Sequence, residues 1–210
     1  MIKIIIADDH AIVRQGLRQM LAGMTDMELV GEAKDAAELL ELFRKQPCDV
    51  VVLDVSMPGR SGLEVLKDLK SEHSHVAVLM LTMYSQEQYA VRALKAGAAG
   101  YLTKDSAPAE LITAIRRVAV GGKYITAALA EVLADYLGSK TDKPLHESLS
   151  DREFEVLCKI GAGKIVSEIA EELFLSPNTI STYRARLLEK LNLRNNAELI
   201  RYAITNRLIA

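Results

Sequence analysis

The chain is poor in cysteine, with only Cys48 and Cys158, far apart and without metal-ligand spacing. That pattern offers neither a cysteine metal centre nor a disulfide framework; it reads as core thiols and is consistent with a reducing cytosol. Long apolar runs are also missing: nothing approaches the ~18 residues that a membrane span needs. Residues 1–8 are too short for a signal-peptide core and run into acids. No low-complexity segment is present. A cytoplasmic protein without a membrane partner is the expectation. Nor is there an excess of charge of one sign. The net charge of −2 carries no overall nucleic-acid signal, so any basic surface must be local. What remains is a chain of 210 residues, half of them hydrophobic, enough for one large or two small globular domains.

The most informative stretch is Val50-Val51-Val52-Leu53-Asp54. A continuous β-branched and apolar run reads as a strand buried on both faces of a parallel sheet. Burying Asp54 inside such a strand is costly, but at the C-terminal tip its carboxylate can meet solvent, a metal or a ligand. Ser56-Met57-Pro58-Gly59 follows as turn chemistry. Four more runs behave alike. Ile4-Ile5-Ile6-Ala7 ends at Asp8-Asp9, and residues 28–33 form a shorter strand. Residues 76–82 end at Thr82, and Gly100-Tyr101-Leu102-Thr103 ends at Lys104. Helical stripes separate them, at 12–21, after an Asp35 cap, at 61–70, at 86–96 and from Pro108 to about 120. Strict alternation of five strands and helices predicts an α/β fold, a five-stranded doubly wound parallel sheet. Length excludes an eight-stranded barrel.

Open α/β sheets place their sites at the carboxyl ends of the strands. The tips here bring together Asp8, Asp9, Asp54, Thr82 and Lys104. Crowded carboxylates repel one another, and Mg2+, a hard ion taking oxygen ligands, suits them. A carboxylate nucleophile can then attack a phosphoryl donor, with Lys104 as the cation and Thr82 as the hydroxyl donor. Singly, each residue has an ordinary reading: a solvated turn acid, a surface lysine, a strand threonine. The joint pattern is far more specific. His10, beside the acidic pair, reads as a helix-start residue rather than a ligand.

Residues 1–120 resemble a receiver domain of bacterial two-component signalling. The resemblance lies in Ile6-Ala7-Asp8-Asp9-His10, Leu53-Asp54-Val55-Ser56-Met57-Pro58-Gly59, Leu81-Thr82-Met83 and Gly100-Tyr101-Leu102-Thr103-Lys104-Asp105. It implies a flavodoxin-like sheet and Asp54 as the phospho-acceptor from a sensor histidine kinase. It further implies Mg2+ held by Asp8, Asp9, Asp54 and the Ser56 carbonyl, with Thr82 and Tyr101 as a switch pair. Met83 departs from the small residue many receivers carry there.

Gly121-Gly122-Lys123 breaks the alternation. An Ala- and Leu-rich helix is expected at 127–137, and polar, turn-rich residues 138–144 read as a linker. Residues 121–147 are therefore a linker with a helix, and 148–210 a small all-α domain. Ser150-Asp151-Arg152-Glu153 is a capping box. A short helix at 165–173, a tight connection and Ser176-Pro177 before a third helix predict helix-turn-helix. Between Ser176 and Arg194 the cations Arg184, Arg186, Lys190 and Arg194 face one acid, Glu189, a patch suited to phosphates. Asn178, Ser181, Thr182 and Ala185 share one face and are small enough to approach base edges. A merely solvated face is the plain alternative.

This half resembles a LuxR-type helix-turn-helix, through Leu149-Ser150-Asp151-Arg152-Glu153, Glu168-Ile169-Ala170, Leu175-Ser176, Thr179-Ile180 and Lys190-Leu191. The whole chain resembles a NarL/FixJ-type response regulator. The resemblance implies sequence-specific DNA binding that controls transcription and a homodimer when phosphorylated. Ile165-Val166-Ser167 departs from the usual polar entry to the scaffold helix, and Ser181 and Tyr183 depart within the reading helix. A regulator that binds DNA or a partner protein without phosphorylation is the alternative. An aspartyl-phosphate hydrolase is disfavoured, because the first strand ends Asp8-Asp9-His10 rather than Asp-x-Asp; no enzyme activity is expected.

Overall fold

The computed structural model describes residues 1–83, 87–106, 108–138 and 144–209. Two compact units are present, the first through Leu133 and the second from Ala134. The first unit alternates β1 (Ile2–Ala7), α1 (Ala11–Ala22), β2 (Met27–Ala33), α2 (Ala36–Lys45), β3 (Val50–Asp54) and α3 (Gly62–Glu72). It continues with β4 (Ala77–Thr82), α4 (Glu87–Lys95), β5 (Gly100–Thr103) and α5 (Pro108–Ala119), and α6 (Ala127–Gly138) follows. All strand pairings are parallel, in the order β2-β1-β3-β4-β5. The expected five-stranded doubly wound sheet is what forms.

The strands earn their place by burial. Ile4, Ile5, Val50, Val51, Leu53, Val78, Leu79 and Met80 are wholly inaccessible to solvent. Each such aliphatic side chain contributes about 1.5–3 kcal/mol relative to exposure. On the helices, Asp35 caps α2 by accepting from the Glu38 amide, and Ser61 with Glu64 forms a reciprocal capping box on α3. One inward expectation fails. Ile12 is 80% exposed, while Leu17 and Leu21 of the same helix are buried. Ile12 lies about two and a half turns from Leu21, on the opposite face of α1, whereas Val13 of the same first turn packs against the core.

Register aligns the strand tips. Ala7 pairs with Leu53, Asp54 with Leu81 and Thr82 with Thr103. The order reverses direction between β1's neighbours β2 and β3, the switch point where such sheets hold ligands. At the far edge Tyr124 bridges Gly100, its amide donating to the Ala99 carbonyl at 2.9 Å. A Cβ on Gly100 would stand 2.8 Å from the Tyr124 carbonyl oxygen. Residues 139–143 of the expected linker lie outside the described residues.

The second unit holds a short 3-10 turn (Leu145–Ser148) and four helices: α7 (Asp151–Gly161), α8 (Val166–Glu172), α9 (Pro177–Lys190) and α10 (Asn196–Thr205). Its core is Phe154, Leu157, Ile169, Leu173, Ile180, Leu187, Leu191, Leu199 and Leu208. The Ser150–Glu153 capping box forms as the sequence predicts. Phe174, at φ 53°, turns the chain sharply between α8 and α9, and Ser176 caps α9 at the Thr179 amide with Pro177 in the first turn.

Candidate functional site

Four of the predicted pocket residues, Asp8, Asp9, Asp54 and Lys104, meet at the C-terminal tips. Lys104, on the residue after β5, reaches 2.7 Å from Asp8 Oδ2 and 2.8 Å from Asp54 Oδ2. All three side chains are at least nine-tenths buried. Burial pushes the Asp54 carboxyl up to about 6; Lys104 opposes this, and the neighbouring Asp8 adds to it. Burial acts to lower the Lys104 ammonium, but Asp54 and Asp8 outweigh it and raise its pKa. The pocket thus holds three carboxylates against one resident lysine, a net negative charge in a poorly hydrated place.

The loop after β3 is shaped by close backbone approach. The Gly62 amide donates to the Val55 carbonyl at 2.7 Å, and a Cβ on Gly62 would stand 1.9 Å from the Asp54 carbonyl oxygen. Only glycine lets α3 begin so near the acid. Ser56 is half-buried in this loop, and its backbone hydrogen-bonds to Asp54. Thr82 is fully buried at the end of β4, with its carbonyl accepting from the Lys104 amide at 2.7 Å, and Tyr101 is 5% exposed on β5. Met83 stands out from the rim at 63% exposure.

The donor set fits a divalent cation. One donor atom each from Asp8, Asp9, His10 and Asp54 lies within 4.8 Å of the others. Asp9 Oδ1 is buried and accepts no hydrogen bond among the described residues. Sequence reasoning placed His10 at a helix start. It is the N-cap residue of α1, but its ring does not cap the helix. Arg14, which sequence reasoning passed over, donates from Nη1 to the Asp8 carbonyl at 2.6 Å.

On the second unit, Asn178, Ser181, Thr182, Ala185 and Arg186 are all exposed on α9. Thr182 returns its hydroxyl to the Asn178 carbonyl at 2.9 Å. The other cations are engaged. Arg184 Nε donates to Asn196 Oδ1 at the start of α10. Lys190 lies 2.7 Å from Glu153, whose side chain is 3% exposed. His146, which the sequence did not single out, is buried with Nδ1 3.1 Å from the Tyr202 hydroxyl.

Residues 4–116 match the family "Response regulator receiver domain", and residues 147–203 match "Bacterial regulatory proteins, luxR family". The chain is a response regulator. It belongs to the NarL/FixJ type, which joins a receiver to a LuxR-type DNA-binding domain and regulates transcription. The response regulator UvrY of Escherichia coli K12 is 38% identical over 210 residues, spanning 99% of this chain and 96% of its own. The response regulator GacA of Pseudomonas aeruginosa is 36% identical over 211 residues, spanning 100% and 98%. The structure of RcsB from Salmonella enterica serovar Typhimurium bound to promoter P1flhDC with the phosphomimetic BeF3− is similar at TM-score 0.67. It is 29% identical, covering 96% of this chain and 97% of that one. In this response regulator, no described helix is long and apolar enough to cross a membrane.

Proposed function

We propose that Asp54 is the phospho-acceptor of this response regulator and that α9 reads DNA. The observation that carries the first part is Lys104 Nζ, held between Asp8 and Asp54 at the tips of parallel strands. In this reading an Asp54 carboxylate oxygen attacks the phosphorus of a phosphohistidine on a sensor kinase. The O–P bond forms as the N–P bond breaks, and the kinase imidazole leaves with the electron pair. Lys104 steadies the charge on the transferring group, and Thr82 donates its hydroxyl to it. Asp8, Asp9, Asp54 and the Ser56 carbonyl are the residues that would hold Mg2+. When bound, that ion offsets the carboxylate repulsion and polarises the phosphoryl group.

Thr82 and Tyr101 form the switch: the hydroxyl moves to the new phosphoryl oxygen, and the aromatic ring takes the space it leaves. Residues 1–120 serve as input, 121–147 as connector and 148–210 as output. Phosphorylation shifts a pre-existing equilibrium toward a homodimer that binds DNA. Asn178, Ser181, Thr182 and Ala185 approach base edges, with Arg184 and Arg186 supplying charge toward phosphates and Lys190 held back on Glu153. The protein acts in the cytoplasm as a regulator without catalytic turnover of its own substrate.

The test is incubation with a small acyl-phosphate donor, with and without Mg2+. Labelling is expected in the wild type with Mg2+ and absent in Asp54→Asn. Label retained in that variant refutes Asp54 as the acceptor. DNA binding that ignores phosphorylation would favour the phosphorylation-independent regulator.

A further inference from the structure

His10 occupies a helix N-cap with φ −81° and ψ 109°, yet its side chain makes no capping hydrogen bond. Its ring turns back over the acidic pair. Nδ1 lies 3.3 Å from Asp8 Oδ1, a hydrogen bond when that nitrogen carries the ring proton, and 2.7 Å from Asp9 Oδ1. The backbone amide of His10 also donates to Asp8 Oδ1 at 2.8 Å, which fixes that carboxylate toward the ring. The other Asp8 oxygen is turned to Lys104.

The short approach to Asp9 does not have hydrogen-bond geometry: Asp9 Oδ1 is buried and accepts no hydrogen bond among the described residues, although Nδ1 is 2.7 Å away. Two electron-rich atoms brought this close, neither aimed at the other, converge on a third point. Cis donors around an octahedral ion with bonds of about 2.1 Å stand about 3.0 Å apart. The two distances at Nδ1 bracket that separation. Trans donors stand about 4.2 Å apart by the same geometry, inside the 4.8 Å within which one donor of each of the four residues falls.

We propose that His10 Nδ1 is a ligand of the pocket cation, which makes the site a mixed oxygen–nitrogen site. The proposal rests on the acidic pocket being the metal site, as read above. Nδ1 presents its lone pair when the ring proton sits on Nε2; the hydrogen bond to Asp8 is then exchanged for the cation, and with the side chain 57% exposed the Nε2 proton is free to meet water. An imidazole donor favours first-row transition ions, whereas Mg2+ keeps oxygen ligands and its own water. His10 therefore sets metal preference: Mn2+ gains from the ring, and Mg2+ gains little.

The experiment compares full-length wild type with His10→Ala, using Mn2+ and Mg2+ as titrants in calorimetry and Mn2+ as a pulsed-EPR probe. In wild type, the Mn2+ signal should carry nitrogen-14 modulation from a coordinated imidazole. In His10→Ala that modulation should vanish, Mn2+ affinity should fall about tenfold, and Mg2+ affinity should change less than about threefold. A His10→Gln variant keeps a polar side chain at the N-cap and should behave as the alanine variant does, which separates lost ligation from a lost fold. Mn2+ bound to wild type without nitrogen modulation overturns the role of His10 and leaves the acidic pocket standing as a metal site. Tighter binding of both ions to His10→Ala identifies the ring as a competitor and also overturns it. No Mn2+ binding by wild type overturns both readings.

Discussion

Asp54 and Glu153 are each 3% exposed, and each has a lysine at hydrogen-bond distance, Lys104 at 2.8 Å and Lys190 at 2.7 Å. Their protonation moves in opposite directions. Burial raises Asp54 to about 6 despite Lys104. Burial also acts on Glu153, but Lys190 and the Ser150 cap outweigh it and hold the carboxyl below its usual range. Asp54 sits deeper among protein atoms than Glu153, and the two differ also in what else each carboxylate faces. Lys104 is shared with Asp8, so one cation serves two acids. Glu153 has Lys190 together with the Ser150 amide, 2.8 Å from Oε2. A carboxylate served by its own cation and a backbone donor is a structural part. A carboxylate short of positive charge is held ready for an added cation or a phosphoryl group, and its free energy is higher until one arrives.

The largest effect should come from disturbing the turn that holds Asp54 in place. In Gly62→Ala the new Cβ falls 1.9 Å from the Asp54 carbonyl oxygen, and the neighbouring contacts are backbone that cannot rotate away. We expect a loss of about 3 kcal/mol in urea unfolding. A loss below about 1 kcal/mol would mean that the β3–α3 loop relaxes freely and does not fix the acid.

Next in size is a pair of substitutions with opposite signs. Asp54→Asn removes a charge the pocket cannot balance, so with divalent ions chelated it should stabilise the protein by about 1–2 kcal/mol. Glu153→Gln removes a balanced charge and leaves the cap weakened, so it should destabilise by about 1 kcal/mol. Urea midpoints at neutral pH measure both. Two shifts of the same sign would break the contrast between the two carboxylates.

Much of this contrast was legible in the sequence on the receiver side and little of it on the helical side. Asp54, Thr82 and Lys104 end buried apolar runs, and parallel topology carries every run's end to one edge. The turn of the His10 ring was not legible, because a side-chain rotamer beside Asp9 decides it. Ile12 is apolar but out of phase with Leu17 and Leu21, so it faces away from the sheet. The Tyr124 bridge is made by backbone, which leaves no side-chain pattern; Gly100 is its one trace. In the second unit the capping box was readable as a local motif. Its lysine partner comes from 37 residues away, and Arg184 meets Asn196 across 12. No helical period encodes such pairs.

A smaller effect concerns acid. Glu153 has a depressed folded pKa, so near pH 4 the unfolded chain binds more protons than the native one, and stability rises with pH there. Its contribution is present above about 4.5, the range where an unfolded glutamate ionises, and is lost as pH falls through the folded value. Protection of the α7 amides, taken as the intrinsic exchange rate at each pH divided by the observed rate, should fall from pH 6 to pH 3.5 in wild type and change less in Glu153→Gln. Equal acid sensitivity in the two would remove Glu153 from the account.

The smallest expected difference separates the cations of α9. Arg186 is exposed, whereas Lys190 is spent on Glu153. A cation that contacts phosphate releases counterions, so its removal lowers the slope of log K against log salt by about one. Arg186→Gln should show that drop and weaken binding to all sequences alike. Lys190→Gln should leave the slope nearly unchanged and instead lower the urea midpoint, because Glu153 loses its partner. If Lys190→Gln flattens the salt dependence as much as Arg186→Gln does, the lysine leaves Glu153 when DNA arrives. The balanced pair of the helical unit would then be as much a waiting site as the pocket around Asp54.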